Sequence, residues 1–427
     1  MNVKTTVRRQ HVGHQISRRS FIRLASGAVL ATSPLIGRAQ SGSIKVGMSC
    51  ITSGPVALTG TSSVAAVKFL FDKVNASGGI NGRKLELLVR DSRALPEESV
   101  KNVRNLMNSD GCRIIIAAET SAGAAAVNEV ARTSDVLFFH TAAEYSALTA
   151  DPKQRSPHVF RTSRQGVHDA AGGALWFTRL AKERSYGRLA TCSPDYQYGR
   201  DVTQLFVDNC KRFGSNLNVV SQSWPKLGAS DYTEVVTKML SSKADVIYSL
   251  CFSGDLLSLM EQGNLYGLFS NRAVFIPDLS EYGVIDKVKQ IPPVAYTGSR
   301  YSMVYPPTAE NRAWHDAIVK TSGGIRPTTW SWQAALAAQL AVNALTATGG
   351  EPRVDKMAQA IRGSTVQVPY GLNGKVTMRA TDNAVIRYPL GFGMAQSAEP
   401  FVKSFESVNW DQVLESETAW LKRSNYV

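Results

Sequence analysis

Arg113-Ile114-Ile115-Ile116-Ala117-Ala118, a helical stretch from Ala122, and then Val136-Leu137-Phe138-Phe139-His140 decide the fold. Both flanking runs are apolar at nearly every position. A strand with one wet face alternates, whereas a strand covered on both faces does not. These are therefore neighbouring strands of a parallel sheet with helices on each side.

The same rhythm extends in both directions. Toward the N-terminus, residues 44–48 read as a strand and 61–76 as a helix. Gly78-Gly79 stops that helix, Asn81-Gly82 turns into a strand over 84–90, and Pro96 opens the next helix, where a missing N–H costs nothing. Toward the C-terminus, helices over 167–183, 198–213, 232–240 and 254–266 each lead to a short strand, over 188–191, 218–221, 245–248 and 273–276. Past Ile291 we expect one more strand, helices near 309–321 and 331–346, and a strand-rich end over 366–393. Gly371-Leu372-Asn373-Gly374-Lys375 lacks the spacing of a phosphate loop and reads as a hairpin turn. The expectation is an α/β chain of two βαβ sheets, each with its own core, first crossing between them at 161–166.

The first 39 residues differ from the rest. Ser17-Arg18-Arg19-Ser20-Phe21-Ile22-Arg23 precedes an apolar run over 24–36, which ends in Gly37-Arg38-Ala39. A basic start, a short apolar stretch and a small-x-small site make a removable signal peptide, cleaved near Ala39 so that the mature chain begins near Gln40. The stretch is too short to span a bilayer. The Arg pair resembles the twin-arginine signal, so the twin-arginine export machinery is an expected partner and the periplasm the expected location. The leader carries seven basic residues and no acidic ones, so removing it takes the net charge from +14 to +7. The remaining Lys and Arg are scattered, so no dense run outside the leader marks the basic face a nucleic-acid binder needs, and that reading is weak. The 388 residues left suit two lobes better than one core.

Cys50, Cys112, Cys192, Cys210 and Cys251 form no C-x-x-C pair and flank no His, so neither a zinc site nor a redox motif is indicated. Cys192 and Cys210, nearest in sequence, would lie roughly 15–20 Å apart across a helix, too far for a disulfide. No G-x-S-x-G, H-E-x-x-H, G-x-x-x-x-G-K-[ST] or strand-following G-x-G-x-x-G occurs, which argues against an enzyme and against a cofactor. His140, at a strand end without an evident carboxylate partner, reads as structural.

Ligands of open parallel sheets bind beyond the carboxyl ends of the strands. Those positions carry Ser53-Gly54, Glu119-Thr120-Ser121, residues 141–145, Tyr196 and Tyr198, Cys251-Phe252-Ser253, and Pro277-Asp278. Ser121 stands where a helix starts. It is either a plain helix cap or, with the free amides, an anion site.

Ile44-Lys45-Val46-Gly47 followed by Ser53-Gly54-Pro55, then residues 75–84 (Asn-Ala-Ser-Gly-Gly-Ile-Asn-Gly-Arg-Lys), resembles the opening of the leucine/isoleucine/valine-binding family of periplasmic proteins. The likeness continues through Thr141-Ala142-Ala143, Phe160-Arg161-Thr162, residues 195–199 and Asp231-Tyr232. The resemblance implies the type I periplasmic binding protein fold, two Rossmann-like lobes joined by a three-segment hinge. The lobes would be residues 44–163 with 300–368, and 164–299 with 369–427. It implies capture of a small amino-acid-like, amide or related polar metabolite between the lobes, for delivery to the permease subunits of an ABC transporter. A sensor of the same fold, or a secreted hydrolase using Glu144 and Asp278, are the alternatives.

By position, the resemblance implies that Ser121 takes a ligand carboxylate and that Ala142 contributes backbone groups. Tyr198 and Phe252 would close over the ligand, and Asp278 would meet its ammonium. Thr59 replaces an aromatic found in some members, leaving more room. Glu144 stands where a hydroxyl is usual. An ionised carboxylate only accepts hydrogen bonds, so Glu144 must turn away, be protonated, or pair with a cation such as Arg161 or Arg164 if a simple amino acid is to bind. Otherwise it favours, with Asp278, a donor-rich ligand.

The export signal is testable on its own. Replacing Arg18 and Arg19 by Lys is expected to leave precursor in the cytoplasm, read by fractionation and immunoblotting. Normal export of the double variant would exclude twin-arginine routing.

Overall fold

The computed structural model describes residues 42–427. The signal-peptide reading of residues 1–39 lies outside them. Five strands, β1 (Ile44–Cys50), β2 (Leu85–Asp91), β3 (Ile114–Ala118), β4 (Leu137–His140) and β5 (Val159–Arg161), form a wholly parallel sheet in the order β2-β1-β3-β4-β5. Between them run α1 (Leu58–Ala76), α2 (Pro96–Asn108), α3 (Ser121–Ala131) and the single turn α4 (Ala147–Ala150). Successive side chains of a strand point to opposite faces, and here each face has its own core. Ile115, Ala117 and Phe138 pack with Val103, Leu106 and Val127 on one side, and Ile114, Ile116 and Phe139 join the larger cluster on the other.

After α5 (Gly166–Glu183) the chain builds a second sheet from β6 (Arg188–Cys192), β7 (Asn218–Ser223), β8 (Val246–Ser249), β9 (Ala273–Phe275) and β10 (Ala295–Ser299), with α6 (Gln197–Arg212), α7 (Thr233–Ser241) and α8 (Ser253–Leu265) between strands. The parallel part has the order β7-β6-β8-β9-β10, the same permutation as the first sheet. The chain therefore forms two α/β lobes with parallel sheets. Stacked aromatics, among them Phe206 on Tyr248 and Phe177 on Phe275 with centroids 3.9 Å and 5.1 Å apart, fill the second core.

The chain then returns. Helices α9 (Ala309–Thr321), α10 (Thr329–Ala347) and α11 (Val354–Ile361) follow, and α10 lies along α1 of the first lobe. A small antiparallel sheet comes next, of β11 (Thr365–Leu372), β12 (Lys375–Met378) and β13 (Val385–Ile386). Asn373 and Gly374 both have positive φ between β11 and β12, the tight hairpin turn read from the sequence. Strand β14 (Gly391–Ala395) adds antiparallel to β10, β15 (Val402–Ser407) adds antiparallel to β14, and α12 (Trp410–Arg423) packs on α5.

The expected crossing at 368/369 falls within β11, whose sheet is bridged to β5 through Arg161 and Ala384. The chain reaches the second sheet only at Gly391. The end of the chain also holds more structure than expected, since α11, β15 and α12 were not read from the pattern. All five cysteines are buried and unpaired.

Gly60 fixes where α1 leaves β1. Its N–H donates to the Ile51 carbonyl at 3.0 Å, and a Cβ there would collide with the Ile51 backbone. Alanine gains about 1 kcal/mol of helix propensity. The clash with a backbone that cannot yield is nonetheless expected to leave Gly60→Ala about 1–3 kcal/mol less stable, measured by urea denaturation.

Candidate functional site

In a sheet ordered 2-1-3-4-5 the crevice opens where the strand order reverses, beyond the ends of the first and third strands. In the first lobe those ends carry Ile51 with Thr59 after β1, and Thr120 with Ser121 after β3. In the second they carry Tyr196 and Tyr198 after β6, and Phe252 after β8. The two crevices share one cavity, lined also by Val56, Ala142, Glu144, Asp278, Arg300 and Trp330. All seven residues singled out from the sequence, Thr59, Ser121, Ala142, Glu144, Tyr198, Phe252 and Asp278, line it.

Ser121 is not the cap of α3. Thr120 is, its hydroxyl accepting from the Gly123 N–H at 3.3 Å. Ser121 is thereby left at the first helical position, 3 % exposed, its hydroxyl without a partner among the described residues. A helix's first N–H groups have no intrahelical acceptor, so this corner of the cavity is rich in donors. Glu119 beside it is occupied elsewhere: Ser49 and Ser92 donate to its carboxylate at 2.7 Å and 2.6 Å, and burial pushes its pKa up.

A second corner centres on Arg300, which directly follows β10 and is 4 % exposed. Its guanidinium pairs with Glu144 of the first lobe and with Asp278 of the second. It also reaches Asp169 at 3.3 Å and the Tyr198 hydroxyl at 3.4 Å. The partner of Glu144 is thus neither Arg161 nor Arg164. Arg164 pairs with Asp169. Arg161 is spent on backbone, donating to the carbonyls of Ala143 at 3.2 Å and Tyr145 at 3.0 Å, so it holds the loop that carries Glu144. The Glu144 carbonyl accepts from Gly166 N–H at 2.7 Å, and Gln333 donates to its carboxylate at 3.3 Å. Burial raises the Glu144 pKa and Arg300 opposes that rise.

Aromatic rings form the walls. Tyr196 lies 5.9 Å from Tyr198 and 6.3 Å from Phe252, and Phe252 lies 6.0 Å from Trp330, centroid to centroid. The lobes touch beside them: the Pro55 carbonyl accepts from the Ser253 hydroxyl at 3.0 Å and from Gly254 N–H at 3.2 Å. His140 lies outside this set, buried with Nε2 3.1 Å from the Asn128 amide oxygen, its pKa lowered by burial to about 3. Among the described residues no helix is long and apolar enough to cross a membrane, and no cluster of His, Cys, Asp or Glu could hold a metal.

The sequence reading missed Arg300 and Trp330. Arg300 could have been found by applying the strand-end rule once more, to the strand before Arg300. Trp330 lies on α10, far along the chain, and no local pattern marks it.

A family model described as periplasmic binding protein matches residues 43–394. The chain belongs to the periplasmic binding protein family. It is 28% identical over 263 residues to the Leu/Ile/Val-binding protein homolog 4 of Brucella abortus (strain 2308), a match spanning 57% of this chain and 60% of that relative's length. In fold it is similar to a solute-binding protein of an ABC transporter from Rhodopseudomonas palustris BisB5, solved with 3,4-dihydroxybenzoic acid (TM-score 0.76, 21% identity, 86% of this chain and 98% of that one). It is also similar to the branched-chain amino acid transporter substrate-binding protein LivJ of Streptococcus pneumoniae, solved with isoleucine (TM-score 0.73, 18% identity, 86% and 99%).

One buried carboxyl outside the cavity lining joins the lobes. Glu281, 2 % exposed, accepts from the N–H of Thr329 at the start of α10 at 2.9 Å. Burial, with Asp278 nearby, pushes its pKa from 4.5 up to about 8. The folded protein therefore holds this proton more tightly than the unfolded chain. The stability it brings is complete below the ordinary carboxyl pKa and is lost as pH rises through about 8. Asp255, raised to about 6, acts in the same direction at lower pH. Melting temperature is thus expected to fall between pH 6 and 8, with a visibly flatter profile in Glu281→Gln.

Proposed function

We propose that this protein is the exported ligand-capturing component of an ABC-type importer, taking one small polar metabolite into the interlobe cleft and presenting it to the permease subunits. The observation that carries this reading is the single cavity at which the carboxyl ends of both sheets meet. Family membership supports it, and so does the state of the acids. Glu144 and Asp278, the pair a hydrolase would use, are both held by Arg300, and a general acid or base must be free to exchange its proton with substrate. In this reading the lobes are residues 44–163 with 300–386 and 164–299 with 387–427, the three crossings forming the hinge. Solved neighbours of this fold hold ligands as different as dihydroxybenzoic acid and isoleucine, so side chains, not the fold, must select the ligand.

Binding should raise the melting temperature with ligand concentration and compact the protein by hinge closure. A thermal-shift screen of small metabolites, followed by small-angle scattering on the hits, checks both. Phe252→Ala is expected to weaken binding of a hit about tenfold or more with little change in the ligand-free melt. A stabilising metabolite that leaves scattering unchanged, or a Phe252→Ala variant that no longer folds, would count against the cleft mechanism.

A further inference from the structure

An amino acid brings two poles to a cleft, a carboxylate and an ammonium. One corner of this cavity suits the first: Ser121 offers a buried, unpartnered hydroxyl on the opening turn of α3, an eleven-residue helix. The other corner already holds its cation. The guanidinium of Arg300 takes both acids, Glu144 and Asp278, that an incoming ammonium would need. A guanidinium stays protonated at any physiological pH. An ammonium entering beside it meets a like charge in a site of low dielectric, where such repulsion is strong. Moving Arg300 aside would instead leave a buried cation without its partners. The backbone that carries the side chain is also held, because the Trp332 indole N–H donates to the Arg300 carbonyl at 3.0 Å. Phe252 and Trp330, with ring centroids 6.0 Å apart, line the same cavity and suit an apolar or flat body.

We propose that Arg300 takes the place of a ligand ammonium, so that the cleft selects a small organic carboxylate with an apolar or aromatic body and no amino group. This rests on the reading of the cleft as a solute-capture site, and makes Arg300 a specificity-determining residue of it.

Matched probes test the proposal by calorimetry on the purified protein: 3-phenylpropionate against L-phenylalanine, and 4-methylpentanoate against L-leucine. The unaltered protein is expected to favour the acid without an amino group by about tenfold or more in both pairs. Arg300→Lys, which keeps a cation there, should retain the preference. Arg300→Met frees Asp278 and Glu144 and should shift the ratio toward the amino acids by about tenfold or more. If Arg300→Met gives no cooperative melt, Glu144→Gln/Arg300→Met, which removes one charge of each sign, is titrated in its place and should shift the ratio likewise. Equal or tighter binding of the amino acids by the unaltered protein overturns the proposal, as does a ratio unmoved in the Met variants. Binding of none of the four probes also overturns the ligand class. In that event a hit from a broad metabolite screen, lost in Phe252→Ala, would leave the capture function standing.

Discussion

A parallel sheet covered by helices on both faces has only its strand ends left for polar chemistry. β3 and β4 of the first sheet and β8 and β9 of the second are buried along their whole length, so no functional group projects to solvent from these central strands. The shared strand order then fixes where the ends open. The helices after the first and third strands of each sheet leave in opposite directions, and the gap between them is the crevice. Because both sheets carry the same permutation, each lobe contributes one such gap, and together they make the single cavity. Thr59, Ser121, Tyr198 and Phe252 are neighbours in space for this topological reason, though up to 193 positions separate them in the chain.

Charge sets the cavity's character more than shape does. Three carboxylates, Glu144, Asp169 and Asp278, share two guanidiniums, Arg164 and Arg300. Burying such groups costs desolvation that pairing only partly returns, so the cluster is better understood as specifying an arrangement than as a source of stability. What it specifies is the meeting of the lobes. Arg300 stands where the chain leaves the second sheet, with one acid from each lobe in its grasp. Arg161 performs a mechanical task beside it, tying the carbonyls of the Glu144 loop at the first crossing.

The sequence made the βαβ rhythm plain because continuous apolar runs and Gly or Pro punctuation are local signals. The strand-end rule reached six of the seven singled-out residues that line one cavity, and Thr59 was added by the family resemblance alone. Three things were not legible. The third crossing is not marked by any pattern, because the strand pattern of β11 says nothing of which sheet it joins. α12 was missed, although its first-turn Asp411 and last-turn Lys422 and Arg423 suit a helix end to end. The partner of Glu144 was sought among arginines close in sequence, yet pairing is decided by which strand ends converge. Arg300 lies 156 positions away and is brought in by β10.

The aromatic wall depends on contact between the lobes. Ser253, next to Phe252, has φ 50, in the left-handed region, which costs a non-glycine residue about 1 kcal/mol or more. A conformation of that kind persists only where surrounding contacts over-determine it. The hydroxyl of Ser253 and the N–H of Gly254 both donate to Pro55, on the loop after β1. The segment that aims Phe252 is therefore held in part from the opposite lobe and not by its own sheet alone. The ring that walls the cavity and two of the bonds that join the lobes belong to three consecutive residues, so separating the lobes would release the constraint on that ring at the same moment that it opened the cavity to water.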